Sequence, residues 1–187
     1  MDIAPFHADV AYGPDGGMAH WVTTADGLKI RVGHWTGADV KGTVLIFPGR
    51  TEYVEKYGDA AREFLAAGYA TVAIDWRGQG LADRMADDRR MGQVGKFTDY
   101  QKDVSAVLAH VETLGLPAPY YMIGHSMGGC IGLRALMEGL PVKAAAFSAP
   151  MWGIGLSPVV RPGAWAVSAV AGAFGKDNVF APGQTPV

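Results

Sequence analysis

Cysteine is nearly absent from this 187-residue chain: Cys130 stands alone. That excludes a disulfide framework and any zinc site built on thiolates. An excess of one charge is also lacking. Charged residues make up 18% and the formal net charge is -2, which fits neither a basic nucleic-acid binder nor a disordered chain. Long hydrophobic runs are missing too. The apolar stretch Gly163 to Gly175 falls short of the roughly 20 residues that span a bilayer. Residues 1–9 carry no positive stretch followed by an apolar one, so no leader is expected and a reducing, cytoplasmic location is. The five histidines, His7, His20, His34, His110 and His125, show no ligand spacing such as H-E-x-x-H, and neither metal nor other cofactor is expected. His110 falls at the end of a predicted helix and reads as solvated or capping.

Apolar residues and glycine are plentiful. Hydrophobic residues reach 49%, and glycine occurs 26 times, about twice its usual ~7% share. A chain of this length can bury roughly 70% of its unfolded surface in one core. Residues 19–24 and 28–35 read as two strands around the turn Ala25-Asp26-Gly27. Lys41 to Phe47 and Tyr69 to Ile74 are short apolar runs that read as buried strands. Between them Val54, Tyr57, Ala61, Phe64 and Leu65 recur at helical spacing up to Gly68. A polar loop spans 81–97. Thr98, with Gln101 three residues on, predicts a capped helix whose stripe runs through Tyr100, Val104, Val107, Leu108, Val111 and Leu114. Pro119 to Ile123 is strand-like, Met127 to Leu140 helical and Val142 to Phe147 strand-like. This alternation predicts an α/β fold: a mostly parallel sheet with helices on both faces and a leading antiparallel hairpin. It occupies residues 1–150. Residues 151–187 hold Gly, Pro and Trp around one apolar helix near 163–174, and read as a lid or as ordinary packing onto the core.

In such sheets active groups gather at the carboxyl ends of the strands. Gly124-His125-Ser126-Met127-Gly128-Gly129 follows one predicted strand and opens a helix. A Gly-x-Ser-x-Gly in that context puts Ser126 on a strained bend with its hydroxyl exposed, and the flanking glycines leave room for it. Chance gives about 0.1 such matches in a chain of this composition before context is required. Acyl transfer needs two N–H donors for the oxyanion. Met127, after the serine, supplies one through its backbone. Phe47-Pro48-Gly49-Arg50-Thr51-Glu52-Tyr53 ends an earlier strand, and Arg50 is the candidate for the other; a plain Pro-Gly turn is the alternative. Asp75-Trp76-Arg77-Gly78-Gln79-Gly80 fails the dinucleotide fingerprint because Asp83 stands at the third glycine position. Gly95-Lys96-Phe97 fails as a phosphate loop because Phe97 replaces Ser or Thr. Asp75 and Arg77 read as holding their own loop together.

Three stretches together resemble the α/β-hydrolase superfamily, and within it the bacterial lysophospholipase and monoacylglycerol-lipase group of serine aminopeptidase-like hydrolases. They are the elbow at 124–129, Pro-Gly-Arg-x-Glu-Tyr-x-x-Lys-Tyr at 48–57 and Ile-Asp-Trp-Arg-Gly-Gln-Gly at 74–80. The resemblance covers roughly residues 20–187. It implies Ser126 as nucleophile, Arg50 and Met127 as oxyanion amides, a lid beginning at 151 and a lipid-like ester as substrate. In this fold the triad runs Ser, then Asp or Glu, then His. After Ser126 the acids are Glu138 and Asp177, and no histidine follows. His125, beside the serine on the bend, is part of the elbow pattern. The expectation is therefore the N-terminal part of a hydrolase, inactive alone, with acid and base outside these residues. It admits a complementing C-terminal chain pairing with an open sheet edge, and peripheral contact with the inner membrane. The rival expectation is a non-catalytic module that binds or associates.

Overall fold

The runs 43–47 and 70–75 are uninterrupted by charge until Asp75, and a strand of that kind is stable only when both faces are covered. The computed structural model describes residues 1–153, 155 and 157–174, and places both runs at the centre of one sheet. Its strands are β1 (Asp2–Ala4), β2 (Met18–Thr23), β3 (Lys29–Trp35), β4 (Thr43–Phe47), β5 (Ala70–Asp75), β6 (Tyr120–His125) and β7 (Ala144–Ser148). They lie in the order β1-β2-β3-β5-β4-β6-β7. β1 to β3 pair antiparallel, β3 runs antiparallel to β5, and β5, β4, β6 and β7 are parallel.

Helices α1 (Ala8–Ala11), α2 (Gly58–Ala66), α3 (Tyr100–Thr113), α4 (Met127–Met137) and α5 (Val160–Ala173) complete the described elements. Because side chains alternate across a strand, Leu45 and Phe47 enter the core shared with α3 and α4, while Val44 and Ile46 join that beneath α2. Helices therefore cover both faces, as the alternation predicts. Two buried arginines lock the strand ends. Arg31 donates to Asp75 at 2.7 Å and to both oxygens of Glu55 at 2.8 and 2.7 Å. Arg77 donates to Asp103 at 2.8 Å and Asp26 at 2.9 Å. Asp75 also accepts the Val54 and Leu81 N–H groups, each at 2.8 Å. The two residues thus hold the loop, as their position suggests.

Several expectations need correcting. Thr98 is not a cap: it lies in a 3-10 turn, Phe97–Asp99, where the Asp99 carboxylate accepts the Lys96 N–H at 3.0 Å. Gln101 instead donates to the Ile131 carbonyl at 3.1 Å and ties α3 to α4. The helix expected from Val54 opens as a 3-10 turn, Val54–Tyr57, and α4 ends at Met137 rather than Leu140. His110 is neither solvated nor a cap. It is buried on the inner face of α3, its ring 5.1 Å from that of His20, which stacks on His34 at 5.4 Å. Its neighbours come from β2 and β3, where His20 and His34 lie, and helix position alone does not reveal which turn faces inward. β1 and α1 were not anticipated, being three and four residues long. Of the segment 151–187, residues 154, 156 and 175–187 lie outside the described ones. No residue of α5 is buried, while at the start of the segment Met151 packs against the core and Trp152 rests an edge on Phe147, at 5.5 Å.

Candidate active site

The backbone at Ser126 has φ 50 and ψ -118, a conformation that side-chain-bearing residues adopt only when their surroundings impose it. Here the surroundings do. Ser126 N–H donates to the Ser148 carbonyl at 3.0 Å, and its own carbonyl accepts the Met151 N–H at 2.8 Å and the Gly129 N–H at 3.0 Å. The elbow is thereby pinned to the end of β7. Its glycines are obligatory. A Cβ on Gly128 would lie 1.9 Å from the Phe47 carbonyl oxygen, and one on Gly124 would lie 2.8 Å from Gly129 Cα. The serine is half-buried, and the N-terminus of α4 begins immediately after it.

The loop after β4 passes directly over this serine. A Cβ added to Gly49 would sit 3.1 Å from Ser126 Cβ and 3.0 Å from a Glu52 carboxylate oxygen. Three side chains hold the loop there. Trp76 Nε1 donates to the Pro48 carbonyl at 3.0 Å. Gln79 Oε1 accepts the Thr51 N–H. Glu52 Oε2 accepts the Gly49 N–H and the Tyr57 hydroxyl, both at 2.5 Å, while Oε1 pairs with Lys56 at 2.5 Å. Burial pushes the Glu52 carboxyl up, but these donors prevail and hold it below the usual carboxylate range. Among the described residues the backbone N–H groups of Arg50 and Met127 have no hydrogen-bond acceptor. They belong to the two segments that meet at Ser126, and a helix N-terminus favours negative charge there.

The structure brings the loop that carries Arg50 over Ser126, with Met127 next to the serine at the start of α4. His125 points elsewhere: its Nδ1 lies 3.1 Å from the Ser148 carbonyl and its Nε2 3.6 Å from Glu52. Glu52, Trp76 and Gln79, which shape the loop, were not singled out. All three lie inside motifs quoted for the resemblance, and that co-occurrence was the available signal. Among the described residues no group of three His, Cys, Asp or Glu is placed to hold a metal ion.

A serine on a strained strand-to-helix elbow, beneath a second amide-bearing loop, on a mostly parallel sheet with helices on both faces, defines an α/β hydrolase. Solved members share the fold. The α/β hydrolase GrgF from Penicillium sp. sh18 superposes with TM-score 0.70 at 20% identity, over 91% of this chain and 61% of that one. A soluble variant of the monoglyceride lipase of Saccharomyces cerevisiae gives 0.60 at 24%, over 82% and 50%. Residues 38–180 match the family described as serine aminopeptidase, S33, and the chain belongs to that family. Lysophospholipase L2 of Escherichia coli strain K12 is 34% identical over 133 residues, 71% of this chain and 39% of that protein. The monoacylglycerol lipase of Mycolicibacterium smegmatis is 32% identical over 120 residues, 60% and 39%. The chain thus spans about two fifths of the length of these relatives.

Proposed function

We propose that this chain carries the nucleophile and oxyanion site of a serine hydrolase that cleaves carboxylic esters of lipids, lysophospholipids or monoacylglycerols. The conformation of Ser126 carries the reading: strained, half-buried and facing a loop whose Gly49 nearly touches it. In this proposal Ser126 Oγ attacks the ester carbonyl while a general base takes its proton. The Arg50 and Met127 N–H groups receive the oxyanion, the alcohol leaves, and water hydrolyses the acyl-enzyme. Unassisted, a serine hydroxyl is a weak nucleophile, and in the reading the base and its acid come from polypeptide outside the 187 residues. The substrate class draws on relatives named lysophospholipase L2 and monoacylglycerol lipase. Contact with a lipid surface draws on the exposed Trp152, Trp165 and Phe174 of the lid-like segment; no described helix is long and apolar enough to cross a membrane.

A second reading, a non-catalytic binding or association module, is favoured by one observation. Both ring nitrogens of His125 face Ser148 and Glu52, and among the described residues no histidine side chain bonds to Ser126. Fluorophosphonate labelling separates the two. The intact protein is expected to label, and Ser126→Ala to abolish it. A folded protein that hydrolyses no ester and does not label would leave the binding module.

A further inference from the structure

Residues 1–12 precede the stretch that matches the family and supply no group to the proposed reaction, yet buried groups tie them down. The His7 N–H donates to Glu55 Oε1 at 3.1 Å, and the Pro5 carbonyl accepts a bond from Arg31 Nη1 at 2.8 Å. Glu55 is 2% exposed and Arg31 1%. Arg31 spans both Glu55 oxygens and reaches Asp75 as well. Burial pushes the Glu55 carboxyl up, but Arg31 and the His7 N–H prevail and hold it below the usual carboxylate range. Backbone also meets backbone here. A Cβ on Gly58, where α2 begins, would lie 1.9 Å from the Ala11 carbonyl oxygen at the end of α1. Phe6 sets its edge on Trp35, centroids 5.6 Å apart, in the core beneath α2.

These contacts converge on one turn. Glu55 and Gly58 bracket Lys56 and Tyr57, whose ammonium and hydroxyl bond Glu52. Glu52 in turn accepts the N–H of Gly49, the residue pressed against Ser126. From the His7 N–H to the Gly49 backbone, each step is a hydrogen bond or the backbone of the turn itself. We propose that residues 5–11 buttress the loop over Ser126 through the turn that follows it, with Glu55 as the positioning residue that passes on their hold. The proposal rests on the ester-hydrolase reading and deepens it. Glu55 touches no reacting atom. Without residues 5–11, Glu55 Oε1 and Arg31 Nη1 each lose a partner, and the turn loses backbone on which it packs. The loop is then no longer held at a fixed distance from the serine. A misplacement of ~1 Å can cost about a hundred-fold in rate, and a loss felt only in the transition state falls on kcat.

The test uses the intact protein and a monoacylglycerol. Deleting residues 2–12 is expected to lower kcat at least about ten-fold with KM little changed, at a temperature where circular dichroism shows the variant folded. Fluorophosphonate labelling should slow in parallel. His7→Pro removes one N–H and leaves the bonds from Val10 and Ala11 to the His7 carbonyl in place. It should lower kcat in the same way by a smaller factor, while His7→Ala, which keeps the N–H, should behave as the wild type. Hydrogen exchange over residues 48–58 should quicken in the deletion and His7→Pro proteins. Folded variants that lose only melting temperature, with kcat and exchange over 48–58 as in the wild type, overturn the proposal. An equal fall in His7→Ala overturns it too, because the bond to Glu55 comes from the backbone. If the wild type neither hydrolyses the ester nor labels, the hydrolase reading falls, and exchange over 48–58 alone decides the buttress.

Discussion

With one carboxylate oxygen on the Gly49 N–H and the Tyr57 hydroxyl and the other on Lys56, Glu52 fastens the loop after β4 to the turn that follows it. It touches no reacting atom; it acts by keeping the Gly49 backbone against Ser126. Glu52→Ala leaves a buried amide and a phenol without an acceptor, so a loss of on the order of 2–4 kcal/mol in stability is expected, with slower fluorophosphonate labelling. Glu52→Gln keeps an acceptor and should lie between. Labelling at the wild-type rate in a folded Glu52→Ala protein would show that the loop holds its shape without it. The elbow at Ser126 and the Pro-Gly turn before Arg50 were legible in the sequence because each is a short local pattern at the end of an apolar strand. Gln79 was not, because its role arises only when two loops meet, as Thr51 N–H on Gln79 shows; Glu52 was not, because its bonds to Gly49, Lys56 and Tyr57 depend on how the turn folds back on itself.

At the scale of elements, the buried strands and α3 and α4 were read within a few residues, since continuous apolar runs and a 3.6-residue stripe leave few alternatives. What escaped were pieces too short to have a period, β1 and α1, and the 3-10 turns, whose geometry depends on partners such as the Asp75 carboxylate on Val54 N–H. The elbow glycines show how tightly these elements abut. Gly128→Ala would press a methyl group to 1.9 Å from the Phe47 carbonyl oxygen, and backbone on both sides cannot yield as a flexible side chain does. It is expected to destabilise the protein by about 2–4 kcal/mol and to move the Arg50 loop away from the serine. Thermal melting beside labelling checks this. An Ala variant that melts with the wild type would contradict the close contact between α4 and the end of β4.

Across the whole molecule, the His20–His34–His110 cluster makes stability depend on pH. Burial lowers all three, His34 and His110 to about 4, and in each ring one nitrogen has no partner among the described residues, as neutral imidazoles allow. The unfolded chain takes up protons near the ordinary 6.5 while the folded one does not. Stability is therefore complete above about pH 6.5 and is lost as pH falls toward 4, each of His34 and His110 adding a slope that approaches about 1.4 kcal/mol per pH unit. Urea midpoints at several pH values between 7 and 4.5 should fall in that direction and fall less steeply in His110→Leu; parallel curves would mean that the cluster is not what titrates. The strand order carries a consequence for synthesis. β4 finds β5 soon after it is made, but its other neighbour is β6, which starts at Tyr120. At a translation rate of roughly 5–20 residues per second, the most hydrophobic strand in the sheet waits several seconds with one edge open as the chain leaves the ribosome. For that interval the nascent protein is a sheet ending in β4, and a chaperone that shields extended apolar segments has its clearest target there, between Thr43 and Phe47.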